Sequence, residues 1–169
     1  MNIHPIIVHF PIALLVVYAL CELVRFSFVT RQSYWFYVKA VLVIVGSLSA
    51  SVALESGETA AEMLTERNPL VRVHSNFAEI SSWIFGIIAF SYLILWVHRV
   101  FPALFSEKLG ALGRVIMWLA GLVQRTPIIV TLSLFGLLFV TVTGGLGGAI
   151  VYGSNFDPFM RPILTYLGL

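Results

Sequence analysis

Long runs of apolar residues dominate this chain, and short stretches rich in charge separate them. A helix needs about 20 mainly apolar residues to cross the hydrocarbon core of a bilayer. Four stretches reach that length, at about 6–28, 36–55, 75–98 and 127–151. Because the runs are continuous and do not alternate, they indicate helices and not barrel strands. The pattern predicts an all-α integral membrane protein whose four transmembrane helices form an up-down bundle.

A fifth apolar segment, residues 109–123, is too short to be another span. A helix of this length rises only about 22 Å, and Arg114 interrupts the segment. We interpret it as an interfacial helix between spans three and four, with Trp118 near headgroup level. No low-complexity linker divides the chain, so we expect residues 1–169 to form a single transmembrane domain.

The composition excludes an ordinary soluble domain, because 59% of the 169 residues are hydrophobic and only 11% are charged. The N-terminal run lacks a basic leader and a clear cleavage site, so we expect it to remain as a helix. Cys21 is the single cysteine, which excludes an internal disulfide and a c-type haem attachment motif. The sequence shows no nucleophile motif, no phosphate loop and no nucleic-acid surface.

The charges are distributed unevenly between the two sides of the predicted bundle. Acidic residues collect on the side that holds both termini and the predicted 56–73 loop. The positive-inside rule therefore predicts that this side faces away from the cytoplasm, which in a bacterial inner membrane means periplasmic termini. Seven of the ten basic residues lie in or near the links between spans one and two and between spans three and four: Arg25, Arg31, Lys39, Arg99, Lys108, Arg114 and Arg125.

Three of the four histidines fall at the predicted outer end of the bundle: His4, His9 and His74. An ionisable side chain in a membrane protein suggests a function, because an apolar residue costs less to insert. His9 and His74 begin spans one and three, which are diagonal in an up-down bundle with short links. We therefore predict that they ligate the iron of a b-type haem axially, with His4 as a supporting group or an alternative ligand.

A porphyrin also needs a flat surface that approaches the backbone closely. The ends of spans two and four supply glycines for this purpose, and the residues that we predict to line the haem are Gly57, Gly144, Gly147 and Gly148.

A weak internal repeat relates the two predicted hairpins. SGETAA follows span two and TGGLGG closes span four, and each begins with a hydroxyl residue and a glycine. Spans one and three carry the matching patterns His9-x-x-x-Ala13 and His74-x-x-x-Ala78. The repeat predicts hairpins related by an axis along the membrane normal, with His9 and His74 at the same depth.

Other interpretations of these residues stay open. A histidine at a helix start is often only a hydrogen-bonded interfacial side chain, and GGLGG is typical of close helix packing. Alternatively, a metal ion could bind His9 or His4 together with Glu55, Glu58 or Glu79, although the spacing matches no standard zinc site.

Polar residues within the spans favour structural roles. Glu22 and Arg25, three residues apart, predict a local ion pair at the cytoplasmic end of span one. Two polar stripes predict interhelical packing and hydrogen bonds, or a proton path: Ser47, Ser51 and Glu55 on span two, and Ser75, Glu79, Ser82 and Gly86 on span three.

The motifs HPxxVHFPIAL at the start and TGxxGGxxVY near the end resemble a family of small bacterial four-helix membrane proteins, domain of unknown function 2231. The resemblance supports the fold and implies a link to cytochromes, because some members occur joined to haem domains, but the family has no settled activity. The positions that match its motifs are His4, Pro5, His9, Phe10, Pro11, Gly57, His74, Thr143, Gly144, Gly147, Gly148 and Tyr152.

These observations lead to a hypothesis of an electron-transfer module that carries haem b near the periplasmic face and is not an enzyme on its own. Its expected partners are the lipid bilayer, a periplasmic cytochrome or other membrane subunits, and a membrane quinone. The first alternative is a cofactor-free accessory subunit of a larger respiratory, photosynthetic or transport complex. The second alternative is the metal-binding membrane protein with histidine and carboxylate ligands.

Overall fold

The computed structural model describes residues 4–62, 68–153 and 158–166, and within these ranges it contains helices and no strand. In the same part of the chain, four helical segments are long and apolar enough to cross a membrane, as predicted. They are α1 (His4–Ile7) continued by α2 (His9–Leu23), α4 (Ser33–Glu62), α5 (Pro69–Val100) and α7 (Thr126–Tyr152). The shorter helices are α3 (Ser27–Thr30), α6 (Gly110–Val123) and α8 (Met160–Tyr166), and a π-helical turn, Leu104–Lys108, precedes α6.

The four long helices form a ring in which each packs against two others. Helix α2 packs against α4 and α7, and α5 packs against the same two neighbours. Helices α2 and α5 therefore lie diagonally, as predicted for spans one and three. Their largest side chains still meet in the core, where the Tyr18 ring is T-shaped to Phe85 at 6.2 Å and to Tyr92 at 6.0 Å.

The helix ends differ from the predicted ones in three places. Span one stops at Leu23, because Val24 is extended with a ψ of 122°. Helix α4 runs on to Glu62, so the segment that we predicted as a loop after residue 56 is helical. Alanine and glutamate favour the helix strongly enough there to outweigh Gly57.

The predicted 56–73 loop is wrong at its other end as well. Helix α5 begins at Pro69, where the missing amide hydrogen of proline costs nothing. The Asn68 side chain caps it by accepting a hydrogen bond from the Leu70 amide at 2.9 Å. Residues 63–67 of that loop lie outside the described residues.

Helix α6 matches the short apolar segment that we predicted between spans three and four. It is separate from α7, because Arg125 is extended with a ψ of 131°. Its inner side packs closely, since a Cβ on Gly113 would clash with the Phe105 carbonyl. Leu112 and Trp118 are exposed on the helix, which suits the predicted interfacial placement.

A buried carboxylate ties three of the spans together at the end of the bundle that holds the links 24–32 and 101–125, which we call the linker end. Glu22 on α2 is only 2% exposed. Both of its carboxylate oxygens accept hydrogen bonds from Nζ of Lys39 on α4, each at 2.9 Å. The hydroxyl of Tyr92 on α5 donates to it at 3.0 Å, and that of Tyr18 donates at 3.3 Å.

The predicted ion pair between Glu22 and Arg25 exists, but it is the weaker of two. The guanidinium of Arg25 lies 3.9 Å from the carboxylate and is about half exposed, whereas the Lys39 ammonium is largely buried. Exposed pairs contribute about 0–1 kcal/mol, whereas removing one partner of a buried pair costs about 3–5 kcal/mol. Lys39 is therefore the partner on which the buried carboxylate depends.

Replacing Lys39 by Ala should destabilise the bundle by about 3–5 kcal/mol, because the Glu22 carboxylate would remain buried without its cation. Arg25→Ala is the matched control and should cost less than about 1 kcal/mol. Unfolding in mixed detergent micelles, followed by circular dichroism, measures both. Equal losses for the two variants would contradict this assignment.

Close helix packing at the centre of the bundle gives a second expectation. A Cβ on Gly136 of α7 would lie 2.7 Å from Cζ of Phe85, which is fully buried and cannot move aside. Gly136→Ala should therefore lower stability by about 1–3 kcal/mol through overpacking. Gly121→Ala on α6 has open space around the added methyl group and should be neutral or slightly stabilising in the same unfolding assay.

Candidate histidine site

Two partly buried imidazoles lie at the opposite end of the bundle. We call it the terminal end, and it comprises residues 4–10, 56–62, 69–77 and 143–153. Each histidine belongs to the first helix of a hairpin and contacts the second helix of the same hairpin. His4 contacts α4, and His74 contacts α7.

The His4 ring is held by a hydroxyl and packed on a glycine. Its Nδ1 lies 2.8 Å from Oγ of Ser56, and this hydroxyl donates its own hydrogen to the Ala53 carbonyl at 2.8 Å. The arrangement is satisfied when His4 Nδ1 donates to the Ser56 oxygen. A Cβ on Gly57 would lie 2.9 Å from Cε1 of His4, so the ring occupies the space that glycine leaves.

His74 is held in the same manner, but by a backbone oxygen. Its Nδ1 lies 3.0 Å from the Thr143 carbonyl. Because a carbonyl oxygen only accepts, Nδ1 must carry the hydrogen, and in the neutral ring Nε2 carries the lone pair. A Cβ on Gly147 would lie 3.3 Å from Cε1 of His74, so this ring also packs on a glycine.

The two contacts support the internal repeat, but with a different pair of histidines. In each hairpin, a histidine near the start of the first helix bonds to a hydroxyl residue that precedes a glycine on the second helix. The member of the pair in the first hairpin is His4, where the sequence pattern indicated His9. His4 and His74 also interact electrostatically with each other.

His9 points elsewhere. Its side chain is exposed, and its Nδ1 lies 2.5 Å from the carbonyl of Pro5 on the preceding helical turn. Among the contacts of the described residues, none joins His9 to His74. Axial ligation by these two residues therefore stays a prediction, and the observed geometry favours His4 as the partner of His74.

The four glycines that we predicted to face a porphyrin lie in two different environments. Gly57 and Gly147 are covered by the two imidazoles. A Cβ on Gly144 or Gly148 would meet nothing within 4 Å, so these two positions face open space. The neighbouring Gly145 is filled by the Met160 side chain of α8, which packs on the same end of the bundle.

Two imidazoles that are each held through Nδ1 have the arrangement of metal-binding histidines. Histidines that bind metals usually donate one ring hydrogen to the protein, which fixes the ring and directs the other nitrogen to the metal. Two such nitrogens are enough for the axial positions of haem iron, whereas zinc sites use three or four protein ligands. Within the described residues, no group of three or more histidine, cysteine or carboxylate side chains could hold a metal ion.

Sequence reasoning missed the two groups that hold the imidazoles, namely the Ser56 hydroxyl and the Thr143 carbonyl. The available signal was the hydroxyl residue before glycine in SGETAA and TGGLGG, which we interpreted as a surface for a porphyrin. The hydroxyl residue matters in both hairpins, through its side chain in one and its backbone in the other.

The four long apolar helices define an integral membrane protein of the four-helix class. The chain belongs to the family described as predicted membrane protein, DUF2231, whose model matches residues 1–156. This finding confirms the resemblance carried by the first and last motifs. No curated protein and no solved structure matches the chain.

The proton positions in this site can be observed directly. In protein labelled with ¹⁵N-histidine and reconstituted in bilayers, neutral His74 should give the signals of the tautomer that is protonated at Nδ1, because Thr143 supplies only an acceptor. Solid-state NMR distinguishes the two tautomers, and His74→Asn identifies the signal by removing it. A neutral His74 protonated at Nε2 would contradict the hydrogen bond.

Proposed function

We propose that this chain is a membrane-integral electron-transfer module that binds b-type haem at the terminal end through His4 and His74. The observation that carries the proposal is that both imidazoles at the terminal end are fixed through Nδ1, each by the second helix of its own hairpin. Haem needs only two protein ligands, so the absence of a third ligand in the described part of the chain is compatible with it.

The residues around the imidazoles fit a bound porphyrin in two respects. Gly57 and Gly147 allow each ring to lie directly on the backbone, which leaves little freedom for it to turn away from a ligand. Gly144 and Gly148 leave space on α7 in which no side chain stands. The bound haem would supply one-electron chemistry, and the chain would supply its position and its environment.

The contribution of the chain to that environment is electrostatic. The Ser56 hydroxyl and the Thr143 carbonyl keep the ring hydrogen at Nδ1, and such bonds raise the basicity of the opposite nitrogen. The apolar bundle limits the access of water from the membrane side. Both effects tune a redox centre without any acid or base catalysis by the protein.

The charge distribution supports the orientation that we propose for the chain. The positive-inside rule favours periplasmic termini in a bacterial inner membrane, so the histidine pair would face that compartment. A periplasmic cytochrome would then exchange electrons at the terminal end, and a membrane quinone would do so from the bilayer.

A cofactor-free accessory subunit is the second candidate, and one observation favours it. Gly144 and Gly148 are four residues apart on α7 and face open space, which is the pattern by which transmembrane helices approach each other closely. In this case the imidazole contacts would only join the helices of each hairpin.

A visible spectrum tests the proposal. Protein purified in mild detergent from haem-replete cells should show the reduced-minus-oxidised bands of a b-type haem. His4→Ala and His74→Ala should each abolish these bands. His98→Ala is the matched control, because His98 lies at the linker end beside Phe105, and it should retain them.

Each other outcome has a definite meaning. Wild-type protein without haem bands would overturn the proposal and favour the accessory subunit. Loss of haem in His9→Ala, with retention in His4→Ala, would restore His9 as the ligand from the first span. Full retention in the His4→Ala/His74→Ala double variant would exclude both histidines as ligands.

A further inference from the structure

An arginine in the last turn of α5 is held against the face of an aromatic ring. Cζ of Arg99 lies 3.5 Å from the centroid of the Phe36 ring on α4 and 5.9 Å from that of Tyr37. The shorter separation is direct contact and requires the two planes to stack, because a nitrogen that pointed at the ring would keep Cζ farther away. The Tyr37 ring is packed edge to face against Trp96 on α5 at 5.3 Å. The guanidinium therefore rests on rings that are themselves held between two spans.

Stacking occupies the flat face of the guanidinium and leaves the N–H donors at its edge. These donors form a rigid fork that matches the paired oxygens of a phosphate or a carboxylate. Arg99 is exposed, and it makes no hydrogen bond or ion pair with any residue that the structure describes. The ring thus orients a fork toward an acceptor that lies outside the described part of the chain.

The linker end around this fork has a large excess of positive charge. It holds seven basic and two acidic residues, a net charge of +5. One of the acidic residues, Glu22, is buried and bound by Lys39, which leaves Glu107 as the exposed carboxylate. An anion beside the fork is therefore favoured by the field of the whole end. The exposed basic residues are Arg25, Arg31, Arg99, Lys108, Arg114 and Arg125.

Exposed aromatic side chains indicate the depth of the linker end in a bilayer. Tyrosine and tryptophan of membrane proteins collect at the level of the lipid headgroups. Tyr34, which precedes Phe36 by two residues on α4, is exposed, and so is Trp118 on α6. Arg99 therefore lies at the depth at which phosphodiester groups surround the chain.

We propose that Arg99, stacked on Phe36, binds the phosphate of an anionic phospholipid at the linker end. A phosphate accepts two parallel hydrogen bonds from a guanidinium, and a lipid phosphate reaches the fork without leaving the bilayer. The positive charge of the end selects lipids with a net negative headgroup, because choline offsets the phosphate charge in a zwitterionic lipid. The site lies at the opposite end of the bundle from His4 and His74, so it does not depend on haem.

Native mass spectrometry of the full chain in detergent tests the proposal, with phosphatidylglycerol and phosphatidylcholine of equal acyl chains as probes. Wild-type protein should bind phosphatidylglycerol about tenfold more tightly than phosphatidylcholine. Arg99→Gln should weaken the binding of phosphatidylglycerol about five- to tenfold, through loss of a charge and of the paired hydrogen bonds. Arg72→Gln removes the same charge from an exposed position at the other end of α5 and should bind as the wild type does.

Arg99→Lys separates an oriented site from a diffuse field. Lysine keeps the positive charge but has no planar fork, so this variant should bind phosphatidylglycerol about threefold more weakly than the wild type does. A diffuse field would respond only to the total charge and would not distinguish the two residues. Because Arg99 is exposed, neither of its substitutions puts folding at risk.

Three results would overturn the proposal. The first is equal affinity of the wild-type protein for the two lipids. The second is an Arg99→Lys variant that binds phosphatidylglycerol as the wild type does, whether or not Arg99→Gln loses affinity, since the shape of the cation would then have no effect. The third is displacement of phosphatidylglycerol by an equal concentration of glycerol phosphate, because the fork would then serve a soluble phosphate compound and not a lipid.

Discussion

The ion pair between Glu22 and Lys39 is the interaction on which the linker end depends. It joins two helices directly and a third through the hydroxyl of Tyr92, and the carboxylate that receives these bonds is almost completely buried. In lipid, helices associate through close packing at small residues and through polar contacts, so the carboxylate adds a requirement to the packing of Gly136 against Phe85. The cost of burying its charge is compensated only when its partners face it. The pair therefore restricts the rotation of α2, α4 and α5 relative to each other.

The terminal end is organised differently, by repetition. Each hairpin places a histidine against a glycine and a hydroxyl residue of its second helix. The ion pair at the linker end thus helps to determine which helix faces point inward. At the terminal end, the histidines His4 and His74 contact neighbouring helices.

The number of spans, the separate α6 and the diagonal relation of α2 and α5 could be predicted from sequence, because they follow from the length of apolar runs and from short links. The partner of Glu22 could not, since Lys39 is seventeen residues away and only tertiary packing brings it near. The same holds for His4. The angular spacing on an ideal helix shows that His4 and His9 point in different directions, but it does not show which of them points into the bundle. The contacts of His4 with Ser56 and Gly57 on another helix determine this.

The unequal lengths of the spans have a consequence for where water meets the histidine pair. The first span has 20 residues and rises about 30 Å, which equals the thickness of the hydrocarbon core. Helix α4 has 30 residues and rises about 45 Å, so it must tilt or extend beyond the hydrocarbon. Because His4 begins the short span, a bilayer centred on that span would place its imidazole near the edge of the hydrocarbon core. Bilayer thickness would then act directly on the hydration of this site.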